Sequence, residues 1–186
     1  MIKGIVAISG QSGSGKSLLS SFFTENKKYK VVSVSKTMTE IFEKMIPNFY
    51  QISEEQRQNK ILNLIKIDPD IASKTIFNKI KDFPNDIVVV LDGVRSEKDY
   101  ATLLGQTKII RIFMYSDFVT RAERVKNRDG KEVGDLILRD SLDNEIGLQE
   151  IFRKANYVVY NYHKIEIKEV KKQINQILIK EDIFLL

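Results

Sequence analysis

Glycine, lysine and serine residues near the start of the chain stand at a spacing that suits phosphate binding. Gly10 is followed by four residues and then by Gly15, Lys16 and Ser17. Because glycines lack side chains, they let successive backbone N–H groups turn towards an anion. Lys16 would reach the β- and γ-phosphates of a nucleotide, and the Ser17 hydroxyl would coordinate Mg²⁺. The pattern predicts an ATP and Mg²⁺ site in a glycine-rich loop made of Gly10, Gln11, Ser12, Gly13, Ser14, Gly15, Lys16 and Ser17.

The residues on either side of the glycine-rich loop favour this interpretation over an ordinary glycine–serine turn. The apolar run GIVAIS, residues 4–9, precedes the loop and is typical of a buried strand. An amphipathic helix is predicted from Lys16, and its positive dipole end would face the bound phosphates. Strand, loop and helix in this order are the expected frame of a nucleotide site.

A carboxylate is predicted at the same edge of the sheet. Asp92 directly follows the apolar run IVVVL, residues 87–91. Ligands of open parallel sheets bind outside the carboxyl ends of the strands, so Asp92 would hold Mg²⁺, directly or through water, beside Ser17. The alternative is an ordinary turn aspartate in the pair Asp92–Gly93.

Arg95 lies three residues beyond Asp92, on the loop before a helix that Ser96 would cap. Its guanidinium suits bidentate binding of a phosphate. A surface ion pair with Glu97 or Asp99 explains the residue equally well, and the sequence leaves the two interpretations open.

Arginines also form a row later in the chain. Arg121, Arg124 and Arg128 are spaced three and four residues apart, which places them on one helical face. Together with Arg139 beyond the polar segment, they predict a phosphate clamp on a lid at residues 127–139 that excludes water during phosphoryl transfer. The alternative is an ordinary charged helix with acidic partners such as Glu123 and Asp140.

The apolar runs and the helical patterns between them alternate along the chain. Short buried strands followed by helices predict a layered α/β fold with a parallel sheet. The predicted strands are residues 4–9, 30–34, 87–91, 108–114 and 157–160. The predicted helices begin at Lys16, Ser96, about residue 117, Leu136 and about residue 166, with a helical region at 36–81 that is interrupted near Pro47 and Pro69.

Composition narrows the class of protein. The 186 residues suit one domain, and the absence of cysteine excludes disulfides and thiol catalysis. A net charge of +5 favours anionic partners, but the lysines are scattered, so we do not expect nucleic acid as a partner. His163, the single histidine, lacks the partners of a metal ligand. With no predicted leader or membrane span, we expect a cytoplasmic protein whose partners are small nucleotides.

These segments together resemble the nucleoside monophosphate kinase group of P-loop proteins, and most closely its adenylate kinase-related and dephospho-CoA kinase-like branch. The resemblance rests on GQSGSGKS (10–17), VVLDGVRS (89–96), RAERVKNRDG (121–130), LRDSLDNEIGL (138–148) and ANYVVYN (155–161). It implies a single domain with three α/β/α layers, five parallel strands, an acceptor-binding helical region at 36–81 and a short lid at 127–139.

The resemblance also implies roles for single residues. The glycine-rich loop would hold ATP, Asp92 would assist the metal and Arg95 would hold the acceptor phosphate. Arg124 and Arg128 would bridge the donor and acceptor phosphates, and Arg139 would act from the far side of the lid. Arg121, in the same row as Arg124, is taken as a further substrate ligand.

One residue departs from the pattern of these kinases, which often carry an acid just after the second strand. Lys36 stands there and would bind an acceptor phosphate rather than deprotonate an acceptor. An acceptor that is already an ionised phosphate needs no strong base. We therefore expect ATP- and Mg²⁺-dependent phosphoryl transfer to a nucleoside monophosphate such as AMP. A kinase acting on a hydroxyl, as in dephospho-CoA, and a non-catalytic nucleotide sensor remain as alternatives.

Overall fold

Five parallel strands form one sheet at the centre of the molecule. The computed structural model describes residues 2–130, 132–163 and 165–182, so Lys131 of the predicted lid lies outside the described residues. The sheet has the order β2-β3-β1-β4-β5, and every pairing is parallel. Its strands are β1 (Gly4–Ser9), β2 (Tyr29–Ser33), β3 (Val88–Val94), β4 (Ile109–Tyr115) and β5 (Tyr157–Tyr160).

Helices connect the strands and cover both faces of the sheet. The α-helices are α1 (Lys16–Thr24), α2 (Val34–Met45), α3 (Glu54–Ile67), α4 (Ile71–Ile80), α5 (Phe118–Asp129), α6 (Val133–Ile146), α7 (Leu148–Arg153) and α8 (Ile167–Lys180). A 3₁₀ helix, Glu97–Leu103, follows β3. Within the described part of the chain, no helix has the length and apolar character needed to cross a membrane.

The alternation of side chains along β1 builds the three layers. Val6 and Ile8 pack on one side of the sheet, in a cluster that α1 and α8 complete. Ile5 and Ala7 pack on the other side, in a cluster that receives apolar residues from α4 and α7. All four side chains are at most 1% exposed, because a parallel sheet covered by helices buries both faces. The predicted α/β/α fold with five parallel strands is confirmed.

The predicted helical region at 36–81 is three helices, and its first helix begins earlier than expected. Ser33 caps α2, because its hydroxyl accepts a hydrogen bond from the backbone N–H of Lys36 at 3.2 Å. Helix α2 therefore starts at Val34, and Lys36 lies within its first turn. The breaks fall where the prolines indicate, since α2 ends before Pro47 and α3 ends before Pro69.

The segment after β3 is capped as its sequence predicts, but it is not an α-helix. The Ser96 hydroxyl accepts from the Lys98 N–H at 3.0 Å, and the Asp99 carboxylate accepts from the backbone N–H groups of Ser96 at 3.1 Å and Arg95 at 2.7 Å. Tyr100 then adopts a non-helical φ of −136° and is fully buried, so the element stays a kinked 3₁₀ helix. The caps fix the backbone at Arg95.

We expect Ile76→Ala to lower the free energy of unfolding by about 2–5 kcal/mol, because it opens a cavity under the sheet. Ile76 lies on α4 and is fully buried. Urea denaturation measures the change. The control Ile67→Ala, at a side chain that is 80% exposed, should change it by less than about 0.5 kcal/mol. Equal effects of the two substitutions would contradict this packing.

Candidate functional site

The glycine-rich loop requires glycine at positions where its backbone turns sharply. Gly13 has φ +79° and Gly15 has φ +100°, a region that side chains rarely adopt. A Cβ atom on Gly15 would lie 2.2 Å from Nδ2 of Asn161. That nitrogen donates a hydrogen bond of 2.8 Å to the carbonyl oxygen of Ser14. Buried Asn161, just beyond β5, thus packs directly on the loop, and the sequence analysis assigned it no role.

Lys16 is a half-buried cation at the start of α1. Its Nζ donates a hydrogen bond of 2.8 Å to the carbonyl oxygen of Gln11, inside the same loop. Burial, together with the positive charge of Arg95, lowers the pKa of Lys16 from 10.5 to about 8, while the carboxylates of Asp143 and Asp92 oppose that shift. A bound polyphosphate would supply negative charge that stabilises the protonated ammonium group of Lys16.

Asp92 lies at the carboxyl end of β3, opposite Ser33 of β2 and Ile8 of β1. Its Oδ1 is buried and makes no hydrogen bond within the described residues. Such an oxygen fits a cation or a metal-bound water, and Ser17 lines the same cleft. In the described ranges no group of three or more His, Asp or Glu side chains is placed to hold a metal. Mg²⁺ at this site would depend on Asp92, Ser17 and phosphate oxygens.

A single cleft, which we call the central cleft, brings these groups together with four arginines. The part of the glycine-rich loop that lines it is Ser12, Gly13, Gly15, Lys16 and Ser17, whereas Gly10, Gln11 and Ser14 do not. The other charged lining residues are Asp92, Arg95, Arg124, Arg128, Arg139 and Asp143. The four arginines, called the cleft arginines below, come from the β3 end, from α5 and from α6. The structure therefore gathers most of the predicted site residues around Lys16.

The arginines on α5 differ in how firmly the structure holds them. Arg124 donates to the carbonyl oxygens of Asn161 at 3.0 Å and of Gly13 at 3.4 Å, and burial lowers its pKa. Arg128 pairs with its neighbour Asp129 and keeps 61% of its side chain exposed. Arg124 is thus fixed against the glycine-rich loop, whereas Arg128 reaches the central cleft from the solvent side.

Arg121 departs from the sequence expectation that it contacts substrate. Its side chain is 3% exposed and does not line the central cleft. Its two Nη groups donate to the two carboxylate oxygens of Asp140 at 2.9 and 2.7 Å, and Nη1 also donates to the carbonyl oxygen of Ser12 at 3.1 Å. The alternative partner Asp140 accounts for it, so Arg121 joins α5, α6 and the glycine-rich loop in one buried contact.

Lys36 also lies apart from the central cleft. Its side chain is exposed on α2. A hydrogen bond from Lys79 is the main cause of the lowered pKa of Glu40, and the positive charge of Lys36 adds to it. The neighbouring Ser33 and Ser35 line the cleft instead. Because capping by Ser33 starts the helix at Val34, the side chain of Lys36 does not take the position that the sequence analysis gave it.

The predicted lid is mostly helical. Helix α5 continues to Asp129 and ends at Gly130, whose φ of +67° suits a glycine cap. Helix α6 begins at Val133, because the Asp135 carboxylate accepts a hydrogen bond of 3.1 Å from the Glu132 N–H. Arg139 lies on α6 and lines the central cleft, opposite the arginines of α5.

Comparison with known proteins identifies the fold of this chain but not its family. No family model matches the chain. A UPF0200 protein of Saccharolobus islandicus (strain Y.G.57.14) is 26% identical over 184 residues, which cover 93% of this chain and 91% of the relative. A UPF0200 protein of Saccharolobus solfataricus is 25% identical with the same coverage.

Two solved structures share the architecture. TT1252 from Thermus thermophilus aligns with a TM-score of 0.64 and 16% identity, covering 97% of this chain and 98% of that one. A shikimate kinase from Bacteroides thetaiotaomicron aligns with a TM-score of 0.56 and 12% identity, covering 96% and 98%. The chain has the fold of P-loop kinases. The narrower resemblance to the adenylate kinase and dephospho-CoA kinase branch stays a prediction.

We expect Asp140→Asn to lower the free energy of unfolding by about 3–5 kcal/mol, because it leaves Arg121 as a buried, uncompensated charge. The same substitution removes the carboxylate that holds Arg121, the donor to the carbonyl oxygen of Ser12, and should weaken ATP binding. Denaturation and calorimetric titration measure the two effects. Glu123→Gln, on the exposed side of α5, is the matched control and should change neither. Loss of stability in the control alone would refute the role of the buried pair.

We expect the affinity for ATP to fall as pH rises above about 8, because Lys16 loses its proton in the free protein and must regain it beside the phosphates. Titrations at pH 8.5 in two buffers of different ionisation enthalpy should therefore show net proton uptake. Lys16→Met should bind more weakly and take up no proton at this site. Equal uptake by Lys16→Met and the wild-type protein would contradict the assignment.

Proposed function

We propose that this protein transfers the γ-phosphoryl group of ATP, in the presence of Mg²⁺, to a small phosphorylated acceptor, with a nucleoside monophosphate such as AMP as the first candidate. The observation that carries the proposal is the convergence of the glycine-rich loop, Asp92 and the cleft arginines on one cleft. A site for one nucleotide alone would not need cations from three separate elements around its terminal phosphate.

The donor side of the central cleft is the glycine-rich loop at the start of α1. Its backbone N–H groups and the helix dipole favour the phosphates of ATP, and Lys16 provides the charge next to the β- and γ-phosphates. Ser17 and Asp92 would hold Mg²⁺, which when bound neutralises charge on the phosphates. Asn161 and Arg124 keep the loop in place.

The acceptor side begins at Arg95. This residue and Gly93 line the central cleft and also a second, mostly apolar pocket between α2, α3 and α4. Apolar side chains of that pocket, among them Val34, Met38 and Phe42, would suit the flat face of a base. An acceptor phosphate bound by Arg95 would then point towards Lys16, which suits transfer between two ligands end to end.

The cleft arginines would act on the charge that spreads over the transferring group. Phosphoryl transfer requires little more from a protein than positioning and neutralisation of the phosphate oxygens. Arg124 is already held against the loop, whereas Arg128 and Arg139 stand on α5 and α6, at either side of the lid. Closure of the first turns of α6 towards α5 over bound substrates would exclude water, which favours transfer over hydrolysis.

A kinase acting on a hydroxyl group is the second candidate, and the acidic residues of the central cleft favour it. The cleft contains the carboxylates of Asp92 and Asp143 in addition to its cations. A carboxylate near the acceptor would receive the proton of an attacking hydroxyl. The argument for a non-catalytic nucleotide sensor relied on Lys36, and Lys36 does not line the central cleft.

The proposed activity is tested with purified protein, ATP, Mg²⁺ and two matched panels, one of nucleoside monophosphates and one of hydroxyl acceptors that include dephospho-CoA. We expect diphosphate products from the first panel, detected by ³¹P NMR. Lys16→Ala should lower the rate by about 10²-fold or more. Lys27→Ala, at an exposed lysine after α1, should leave it unchanged. Transfer to hydroxyls alone would select the second candidate, and no transfer to either panel would refute the proposal.

A further inference from the structure

Asp143 is a buried carboxylate in a cleft whose other charged side chains are mostly cations. Its side chain is only 3% exposed, and α6 carries it into the central cleft one helical turn after Arg139. The sequence analysis assigned it no role. A buried carboxylate is retained only where a cation or hydrogen bonds compensate its lost hydration, so its partner indicates what it does.

The partner of Asp143 is Arg95. Oδ1 of Asp143 lies 2.9 Å from Nε of Arg95, and the backbone N–H of Arg95 is held at 2.7 Å by Asp99. The contact between Nε and Oδ1 is an ion pair without the alignment of a hydrogen bond, so charge attraction holds the side chain while a hydrogen bond fixes the backbone of Arg95. Neither Nη nitrogen makes a hydrogen bond within the described part of the chain. A guanidinium held in this way presents its two outer nitrogens together, the geometry that binds a phosphate bidentately.

The charge of Asp143 also offsets repulsion among the cations of the cleft. Burial is the main cause of the lowered pKa of Lys16, Arg95 and Arg139 lower it further, and Asp143 and Asp92 oppose the shift in part. Because Asp92 supplies a second negative charge to Lys16, the loss of Asp143 alone falls mainly on its ion-pair partner Arg95. Removing it would leave Arg95 free to turn away from Lys16 towards solvent.

We propose that Asp143 is a positioning residue that holds Arg95 towards the phosphate of the acceptor. The inference rests on the proposed function, since it concerns the acceptor side of the same cleft. Asp143 acts through Arg95 and does not itself touch the substrates. Its loss should therefore weaken acceptor binding and leave ATP binding nearly unchanged.

The test compares Asp143→Asn with Glu145→Gln, which makes the same change of charge at an exposed position of α6. The acceptor is the monophosphate that the wild-type protein phosphorylates fastest. For Asp143→Asn we expect KM for this acceptor to rise about tenfold or more, with KM for ATP within about twofold of the wild-type value. Glu145→Gln should change neither constant. Equal rises of both constants in Asp143→Asn would indicate general structural damage and overturn the inference.

A double-substitution cycle tests whether Asp143 acts through Arg95 or independently of it. In an Arg95→Gln background, adding Asp143→Asn should change the acceptor KM by less than about twofold, because the group that it positions is already absent. Full additivity of the two effects would overturn the inference. The pH profile of kcat should keep its shape in Asp143→Asn. Loss of its acidic limb would identify Asp143 as a proton acceptor and also overturn it.

The experiment remains decisive if Asp143→Asn does not fold. Asp143→Glu keeps the charge and displaces the carboxylate by one methylene, so it should raise the acceptor KM and spare the ATP KM. Unchanged acceptor KM in a folded, active variant refutes the positioning role alone and leaves the proposed function intact. A wild-type protein that phosphorylates no monophosphate refutes the proposed function, and the inference with it.

Discussion

The site depends on holding several positive charges close together in a partly buried cleft. Partial burial of Lys16 disfavours its protonated form, and the neighbouring Arg95 and Arg139 add to this effect. Two kinds of negative charge can offset this repulsion: carboxylates fixed in the protein and phosphates brought by ligands. The carboxylates of Asp92 and Asp143 oppose the fall in the pKa of Lys16 only in part. The remaining positive charge makes the cleft receptive to polyanions.

The glycine-rich loop can serve such a cleft because neighbouring elements fix its carbonyl groups. Asn161 donates to Ser14 from the segment after β5, Arg121 donates to Ser12 from α5, and Lys16 donates to Gln11. When carbonyl groups are turned outwards and bound, the N–H groups of the same loop are left to face an anion. The conformation of the loop thus depends on two distant segments of the chain, α5 and the segment after β5, as well as on its own Lys16.

Structural features that depend on the spacing of neighbouring residues could be predicted from the sequence. Strands buried on both faces appear as apolar runs, and the glycine-rich loop and the cap at Ser96 depend on neighbouring residues only. The fold, the strand order along the chain and the position of Asp92 at a strand end followed from these local signals. Pro47 and Pro69 indicated where the helices between β2 and β3 would be interrupted.

Features that depend on contacts between distant segments were not predicted. Arg121 and Arg124 occupy equivalent positions in the sequence pattern, yet one is buried against Asp140 and the other lines the cleft. Which arginine meets an acid depends on how α5 and α6 pack, and no spacing rule contains that information. The same holds for Asn161 and Asp143, whose partners lie 147 and 48 positions away in the chain. The position expected for Lys36 was wrong for a local reason. Serine is a favoured N-cap residue, so Ser33 could have been used to predict that α2 begins at Val34.

The two anchors of α6 limit how its lid can move. Asp140 binds Arg121 and Asp143 binds Arg95, so the carboxyl-terminal half of the helix is pinned to the body at two points about one turn apart. A rigid swing of the whole helix would break both buried ion pairs at once. Movement of the proposed lid would therefore have to come from the first turns of α6, near the exposed Val133 and Gly134. A lid of this length would move over a short distance only, which would suit compact ligands better than long ones.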